Sequence, residues 1–280
     1  MLTEIYRLID TVLPFDWASH IFMKNALIGV LLIAPIFGLM GTMVVSNRMA
    51  FFSDALGHSA LTGIAIGVIV NIGQPLWAMI LFSILLTVAI ISVKKANTAS
   101  TDTVIGVFSS TAVALGVVLL SLRGGFAKYT AYLIGDLLSI DSYDLLLLAA
   151  TFVIVIALWL LIFNKLLAVS FNPSLARSRG IRCVVYDTLF MLIVAVTVTV
   201  SIRWVGVLII NSLLVLPAAA SRNIARNTRQ YSLFSVAIAL ISGLAGLILS
   251  FYLGTASGAT IVLITAFFFA VTFVIRPAAR

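Results

Sequence analysis

The sequence predicts an all-α protein, a transmembrane bundle of eight or nine helices. Of its 280 residues, 62% are hydrophobic and 9% are charged, a composition that excludes a soluble globular domain. The apolar runs approach the ~20 residues that a helix needs to cross a bilayer. The polar stretches between the runs are too short to fold alone. We therefore expect one transmembrane domain over residues 1–280.

Residues 1–20 differ from the apolar runs that follow them. Glu4, Arg7 and Asp10 are interspersed with apolar side chains such as Leu8. This amphipathic pattern predicts a helix that lies on the membrane surface, and it is not the pattern of a cleaved signal peptide.

The membrane spans are placed on the apolar segments. The segment from Trp204 to Pro217 is short enough to be a half-span, so the expected number of helices is eight or nine. The predicted spans are 21–45, 51–70, 75–93, 104–122, 145–163, 184–202, 204–220, 232–252 and 258–275.

The basic residues orient the bundle. With the loop at Arg48 in the cytoplasm, the inner side holds twelve of the 17 Lys and Arg residues, which is the bias expected of cytoplasmic loops. The C-terminus is then cytoplasmic and, with nine spans, the N-terminus is outside. Because the basic residues are dispersed between spans, the net charge of +8 reflects topology and does not indicate a nucleic-acid partner.

The stretch SDALGHSALTG places two ionisable residues inside an apolar run. Asp54 and His58 are spaced i, i+4 and share one face of a helix, which Thr62 continues. Gly63 and Gly67 form a small-residue pattern that lets a second helix approach closely. A charge at the bilayer centre costs at least ~2.5 kcal/mol. A divalent cation would offset that cost, because carboxylate oxygen and imidazole nitrogen both coordinate zinc, manganese or iron.

The spacing of this pair also fits a structural role. Asp54 follows closely on the predicted cytoplasmic turn at Arg48, where a carboxylate interacts favourably with the helix dipole and His58 is its partner. Two ligands are too few for a closed metal site, so others must come from other helices, a second subunit or water. From spacing alone, metal or proton transport and a structural pair both stay open.

Other polar residues near the predicted spans are candidates for the path. Asp136 would line the outer mouth, although a loop carboxylate is an equal alternative, and Asn211 lines the path or bonds between helices. We expect Asp187, at the inner end of its helix, to pair with Arg182 or Arg179.

Five stretches resemble one known family, in order and over nearly the whole chain. The chain resembles the bacterial zinc/manganese/iron ABC importer permeases, and through them the fold of the vitamin B12-type importer permeases. The five stretches are NRMAFFSDALGHSALTGIAIG (47–67), AYLIGDLLSI (131–140), FNPSLARSRGI (171–181), VGVLIINSLLVLPAAASRNIAR (205–226) and SGATIVL (257–263).

The resemblance implies a permease subunit in the bacterial plasma (inner) membrane that imports zinc or manganese, with iron as a further candidate. It also implies a homodimer, two cytoplasmic ATPase subunits and an extracytoplasmic metal-binding protein. The chain has no GxxxxGK[ST] loop for ATP phosphates, and we expect no enzymatic activity and no permanently bound cofactor. Asp54 and His58 match the family motif. Ser109 and Ser110 stand where some zinc importers carry a histidine, and Ser110 is a candidate to line the path.

Two cytoplasmic stretches are candidates for coupling to the ATPase. We expect residues 216–230 to form a short helix after Pro217, and residues 170–182 are the second candidate. On charge alone each is an ordinary positive-inside loop, and the resemblance favours the first. The residues expected to make contact are Pro217, Ala218, Ala219, Ala220, Arg222 and Arg226 in the first, and Asn172, Leu175, Ala176 and Gly180 in the second.

A secondary transporter driven by an ion gradient is the alternative function. It would use the same Asp54–His58 pair but would need no partner subunit. A membrane scaffold without transport is a third class, in which replacing Asp54 would have no effect. An enzyme is disfavoured, because no nucleophile and base stand at a recognisable spacing.

Overall fold

The computed structural model describes residues 2–96, 99–122, 135 and 137–276. All regular elements in these residues are helices, so the prediction of an all-α fold is confirmed. The α-helices are α1 (Leu2–Val12), α2 (Ile21–Ser46), α3 (Ala50–Ile69), α4 (Pro75–Lys95), α5 (Thr101–Leu122), α6 (Ser142–Phe171), α7 (Pro173–Ser178), α8 (Cys183–Val205), α9 (Val207–Ile224), α10 (Thr228–Leu253) and α11 (Ser257–Ile275), with short 3-10 turns at Asp16–Ser19 and Leu137–Ser139.

Eight of these helices are long and apolar enough to cross a membrane: α2, α3, α4, α5, α6, α8, α10 and α11. Helix α9 has 18 residues and corresponds to the short segment predicted as a half-span or a ninth span. The prediction of a multi-pass helical membrane bundle is confirmed.

The path of α9 corrects one expectation. Pro217 was predicted to end a helix, but it lies inside α9. Proline removes one backbone donor from a helix, yet membrane helices tolerate it where neighbouring helices satisfy the freed groups. Here α2 lies directly against this turn, since a Cβ on Gly41 would clash with the carbonyl oxygen of Leu214. This tertiary packing overrides the local preference of proline.

The chain forms two compact units. The first contains Met1–Thr42, Gly135–Val153 and Ser212–Arg280. The second contains Met43–Ile134 and Ile154–Asn211, and it includes the whole of α3. Within the first unit, α10 and α11 pack closely. A Cβ on Gly246 of α10 would lie 2.6 Å from Ile261 Cα of α11, so only glycine permits this approach.

Within the second unit, α3 packs against α4, α5 and α8. The small residues of α3 permit this, as predicted. A Cβ on Gly63 would lie 2.6 Å from Met79 Cα of α4. On the α5 side the glycine is on the partner helix, where a Cβ on Gly116 would lie 2.6 Å from Thr62 Oγ1. Most of α3 is therefore enclosed by helices of its own unit.

Candidate metal-translocation site

Asp54 and His58 form a pair on an open stripe of α3. His58 Nε2 lies 3.5 Å from Asp54 Oδ1, and the side chains are 32% and 39% exposed for His58 and Asp54 respectively. Phe51, one turn before Asp54, is also exposed. Between Phe51 and His58 the other residues of the helix are buried, so the two ionisable side chains lie on the accessible side of this part of α3.

A tight turn sets where this helix begins. Helix α2 ends at Ser46, and Arg48 adopts the left-handed conformation with φ +54 in the turn that follows. Such a φ is uncommon for a residue with a side chain. Met49 is fully buried and the first turn of α3 follows it. Because the start of α3 is fixed in this way, Asp54 has a defined position about one turn after it.

Two contacts hold the turn that carries the pair. Ser53 Oγ donates a 2.6 Å hydrogen bond to Oδ1 of Asn211 in α9. Gly57 lies against the start of α9, where a Cβ would stand 3.1 Å from Val207 Cγ1. The sequence analysis missed both Ser53 and Gly57. The available signal was that small residues flank Asp54 and His58 in SDALGHS.

The predicted path residues have different outcomes. Asn211 lies beside the turn of the pair, although its side-chain oxygen binds Ser53. Ser110 is exposed on α5 and stays a prediction as a path residue. Asp136 lies outside the described residues.

Thr62 was expected to continue the open face, and this is wrong. Its side chain is fully buried and its hydroxyl donates to the carbonyl of Ala112 in α5. A helix turns about 100° per residue, so each i+4 step drifts by about 40°. Position 62 lies two i+4 steps after Asp54 and is therefore rotated by about 80° around the helix. This rotation turns Thr62 away from the side of Asp54 and towards α5.

The pair offers one carboxylate and one imidazole to a cation. In the described part of the chain, no three His, Cys, Asp or Glu side chains come together. In most closed zinc sites the ion has four ligands. The Asp54–His58 pair would therefore supply half of a four-ligand zinc site.

Comparison with known proteins gives the family. Residues 19–276 match the model of the ABC 3 transport family. This chain belongs to the ABC 3 transport family. The predicted resemblance is thus confirmed over most of the sequence, and nothing supports the secondary transporter.

Individual members of the family agree with this assignment. The chain is 34% identical to the high-affinity zinc uptake system membrane protein ZnuB of Haemophilus influenzae, over 82% of this chain and 88% of that protein. It is 30% identical to the manganese import system permease protein ScaB of Streptococcus parasanguinis, over 92% of each.

Solved structures share the fold. The structure of PsaBC from Streptococcus pneumoniae in complex with Fab superposes with a TM-score of 0.80 at 27% identity, covering 99% of this chain and 97% of that one. An inward-facing metal-chelate type ABC transporter has a TM-score of 0.67 at 15% identity and covers 90% and 85% of the two chains, which shows the fold alone.

For this ABC 3 family member, the first coupling candidate differs from the prediction. Residues 216–230 do not form a separate helix, because α9 continues to Ile224 and α10 begins at Thr228. Ala218 and Ala220 are fully buried within the chain, so they are not part of an exposed small face. Arg226 lies in the turn after α9, not one helical turn along from Arg222. Both arginines are exposed.

The second coupling candidate is an exposed short helix. Asn172 Oδ1 accepts a 3.0 Å hydrogen bond from the Leu175 amide and caps α7. Leu175 is 51% exposed, whereas Ala176 is buried and anchors the helix. Gly180 ends the segment in the left-handed conformation with φ +76, which favours glycine.

An open cavity of ≈360 Å³ adjoins the start of α7. Pro173 lines it on one side and Arg48, in the turn before α3, on another. Asp187 also lines it and accepts a 2.9 Å hydrogen bond from Lys94 Nζ. The prediction that Asp187 pairs with Arg182 or Arg179 is therefore wrong, because its partner is Lys94. Asp187 lies on the side of α8 that packs against α4, where the last turn presents Lys94.

Proposed function

We propose that this chain is the membrane permease of an ATP-driven importer for a divalent transition-metal ion. Zinc and manganese are the first candidates for the ion, and iron is the third. The observation that carries the proposal is the partly exposed Asp54–His58 pair on a helix whose other residues are mostly buried. The family assignment, with relatives described as zinc uptake and manganese import proteins, supports it.

The chemistry of the pair suits a transient ligand. A carboxylate and a neutral imidazole both coordinate divalent first-row metals: the carboxylate suits manganese, and both ligands suit zinc. The positive ion offsets the cost of holding the Asp54 carboxylate within a membrane helix. Because the pair supplies only two ligands and stays accessible, an ion binds there with other ligands from water or a second copy and then moves on.

The assembly follows from what the chain contains. Its sequence has no GxxxxGK[ST] loop, so we propose that ATP is bound and hydrolysed by two separate cytoplasmic ATPase subunits. A second copy of the permease supplies a second Asp54–His58 pair. An extracytoplasmic binding protein delivers the ion and sets most of the selectivity, because the affinities of one N/O site for different ions follow an order set largely by the metals.

We propose α7 as the main contact with the ATPase. Its exposed Leu175 and capped start give a small projecting surface. The cavity that Pro173 and Arg48 line together places this surface beside the turn that begins the Asp54 helix. The 216–230 candidate is weaker than expected, since Ala218 and Ala220, two of the three alanines expected to dock, are buried inside the chain.

Reconstituted transport tests the proposal. The permease, its ATPase and its binding protein are placed in lipid vesicles, and uptake of radioactive zinc and manganese is followed with and without ATP. ATP-dependent uptake that Asp54→Asn removes is expected. Uptake by the permease alone, driven by an ion gradient, would identify a secondary transporter instead. Transport that is unchanged in Asp54→Asn would place the metal path elsewhere.

A further inference from the structure

The N-terminal helix α1 is held to the first membrane span by partly buried polar contacts. Lys24, in the first turn of α2, is 8% exposed and lies 2.6 Å from the Asp10 carboxylate. Tyr6 donates a 2.6 Å hydrogen bond to Asn25 Oδ1. The amide of Asn25 donates in turn to the carbonyl of Ile140, at 2.8 Å. These contacts fix the rotation of α1 about its own axis.

With that rotation fixed, the sides of α1 have different environments. Helix geometry places Ile5 and Val12 within about 60° of Leu8, and all three are exposed: 37%, 63% and 64% for Ile5, Val12 and Leu8. Ile9 is buried against the protein. The Ile5, Leu8 and Val12 side chains, here named the apolar stripe, are therefore turned away from the chain's own core.

The other side of the apolar stripe is polar. Glu4 and Arg7 are exposed and lie 3.4 Å apart in an ion pair. The order around the helix is thus protein, apolar stripe and charged surface. A helix that lies on a membrane beside the protein needs this order, because its neighbours are protein, lipid and water.

Exposed apolar side chains follow the apolar stripe along the chain, up to the start of the first span. Phe15, between the two helices, is 56% exposed, and Ile21 and Phe22 at the start of α2 are 65% and 40% exposed. Helix α2 is one of the eight helices able to cross the membrane. Since α1 is tied to its first turn, α1 lies at the level where that span enters the bilayer.

We propose that α1 is a fixed interfacial anchor whose apolar stripe inserts at the boundary of lipid headgroups and acyl chains. Amphipathic helices of this kind bury their apolar face ~5–10 Å into that boundary. The Lys24–Asp10 and Tyr6–Asn25 contacts, here named the clamp, keep the stripe turned towards lipid. This role does not depend on which ion is transported.

Fluorescence quenching tests the lipid contact. In a Cys183→Ser background, Leu8→Cys and, as matched control, Arg7→Cys are labelled with an environment-sensitive dye. The full chain is reconstituted in vesicles of phosphatidylethanolamine and phosphatidylglycerol. We expect a blue-shifted Leu8 probe that nitroxide-bearing lipids quench, with a several-fold lower quenching constant for aqueous iodide than the Arg7 probe.

The alternatives give different results in the same experiment. Equal iodide quenching at positions 7 and 8 would show that the stripe faces water and would overturn the proposal. A Leu8 probe shielded from iodide but not quenched by nitroxide lipids would show that protein covers the stripe, and in these vesicles that protein is a second copy of the chain. That result would overturn it as well.

The clamp is tested by the same probe. Tyr6→Phe with Asp10→Ala removes both side-chain contacts and should raise the iodide quenching of the Leu8 probe severalfold. Glu4→Gln, which removes only the exposed Glu4–Arg7 pair, is the control and should leave the quenching unchanged. Unchanged quenching in the double variant, or an equal rise in the control, would show that the clamp does not orient the stripe.

Discussion

At the residue scale, Asp54 is an ionisable group that stays accessible on a helix whose residues are mostly buried. Two buried residues beside it contact α9: Ser53 donates a hydrogen bond to Asn211, and Gly57 packs against Val207. The pair can therefore stay open without leaving the helix free to rotate. This separation of an anchored side and an open side is what a transient ligand site needs.

The first prediction concerns the pair itself. Asp54→Asn and His58→Ala should each abolish metal uptake, because each removes one of the two proposed ligands that the described residues bring together. Uptake is measured in reconstituted vesicles, and the amount of protein in the membrane is measured in parallel. Asp102→Asn, at an exposed position on α5, is the matched control and should transport normally. Normal uptake by either pair variant would refute the role.

At the element scale, the sequence predicted the helices better than their surroundings. Apolar runs of the right length were enough to place the spans, since the bilayer fixes the length of a helix. Thr62 and Pro217 were misjudged because their environment depends on neighbours distant in sequence, Ala112 and Gly41. The partner of Asp187 was missed for the same reason.

The second prediction tests the cap of α7. Asn172→Ala removes the side-chain acceptor for the Leu175 amide and should destabilise the helix start by ~1 kcal/mol. Asn172→Asp keeps an acceptor, since aspartate caps as well as asparagine. We therefore expect lower ATP-driven uptake in the alanine variant and near-normal uptake in the aspartate variant. Equal uptake in both would show that the cap is not needed for coupling.

The third prediction compares the two coupling candidates. Leu175→Asp places a charge on the exposed apolar residue of α7 and should weaken co-purification with the ATPase and abolish uptake. Arg222→Glu with Arg226→Glu changes the other candidate and should have the smaller effect. Both variants should reach the membrane, because all three residues are exposed. The reverse order of effects would move the main contact to 216–230.

At the scale of the whole molecule, the site is incomplete in one chain. The described residues bring together two ligands and no third His, Cys, Asp or Glu. Two copies related by a two-fold axis would present the same surface to each other. If the open stripe of α3 faces that axis, the two Asp54–His58 pairs form one four-ligand set.

The last prediction follows from a shared site. A fused dimer with one intact copy and one copy carrying Asp54→Asn and His58→Ala keeps only two ligands. If both copies bind one ion together, uptake by this mixed dimer should fall nearly to that of a fused dimer in which both copies carry the two substitutions. The reason is that removing ligands from a four-ligand set weakens the whole set. If each copy carries its own ion, the mixed dimer should retain about half of the normal rate. Uptake at several ion concentrations distinguishes the two cases, and a fused dimer of two intact copies is the control for the linker.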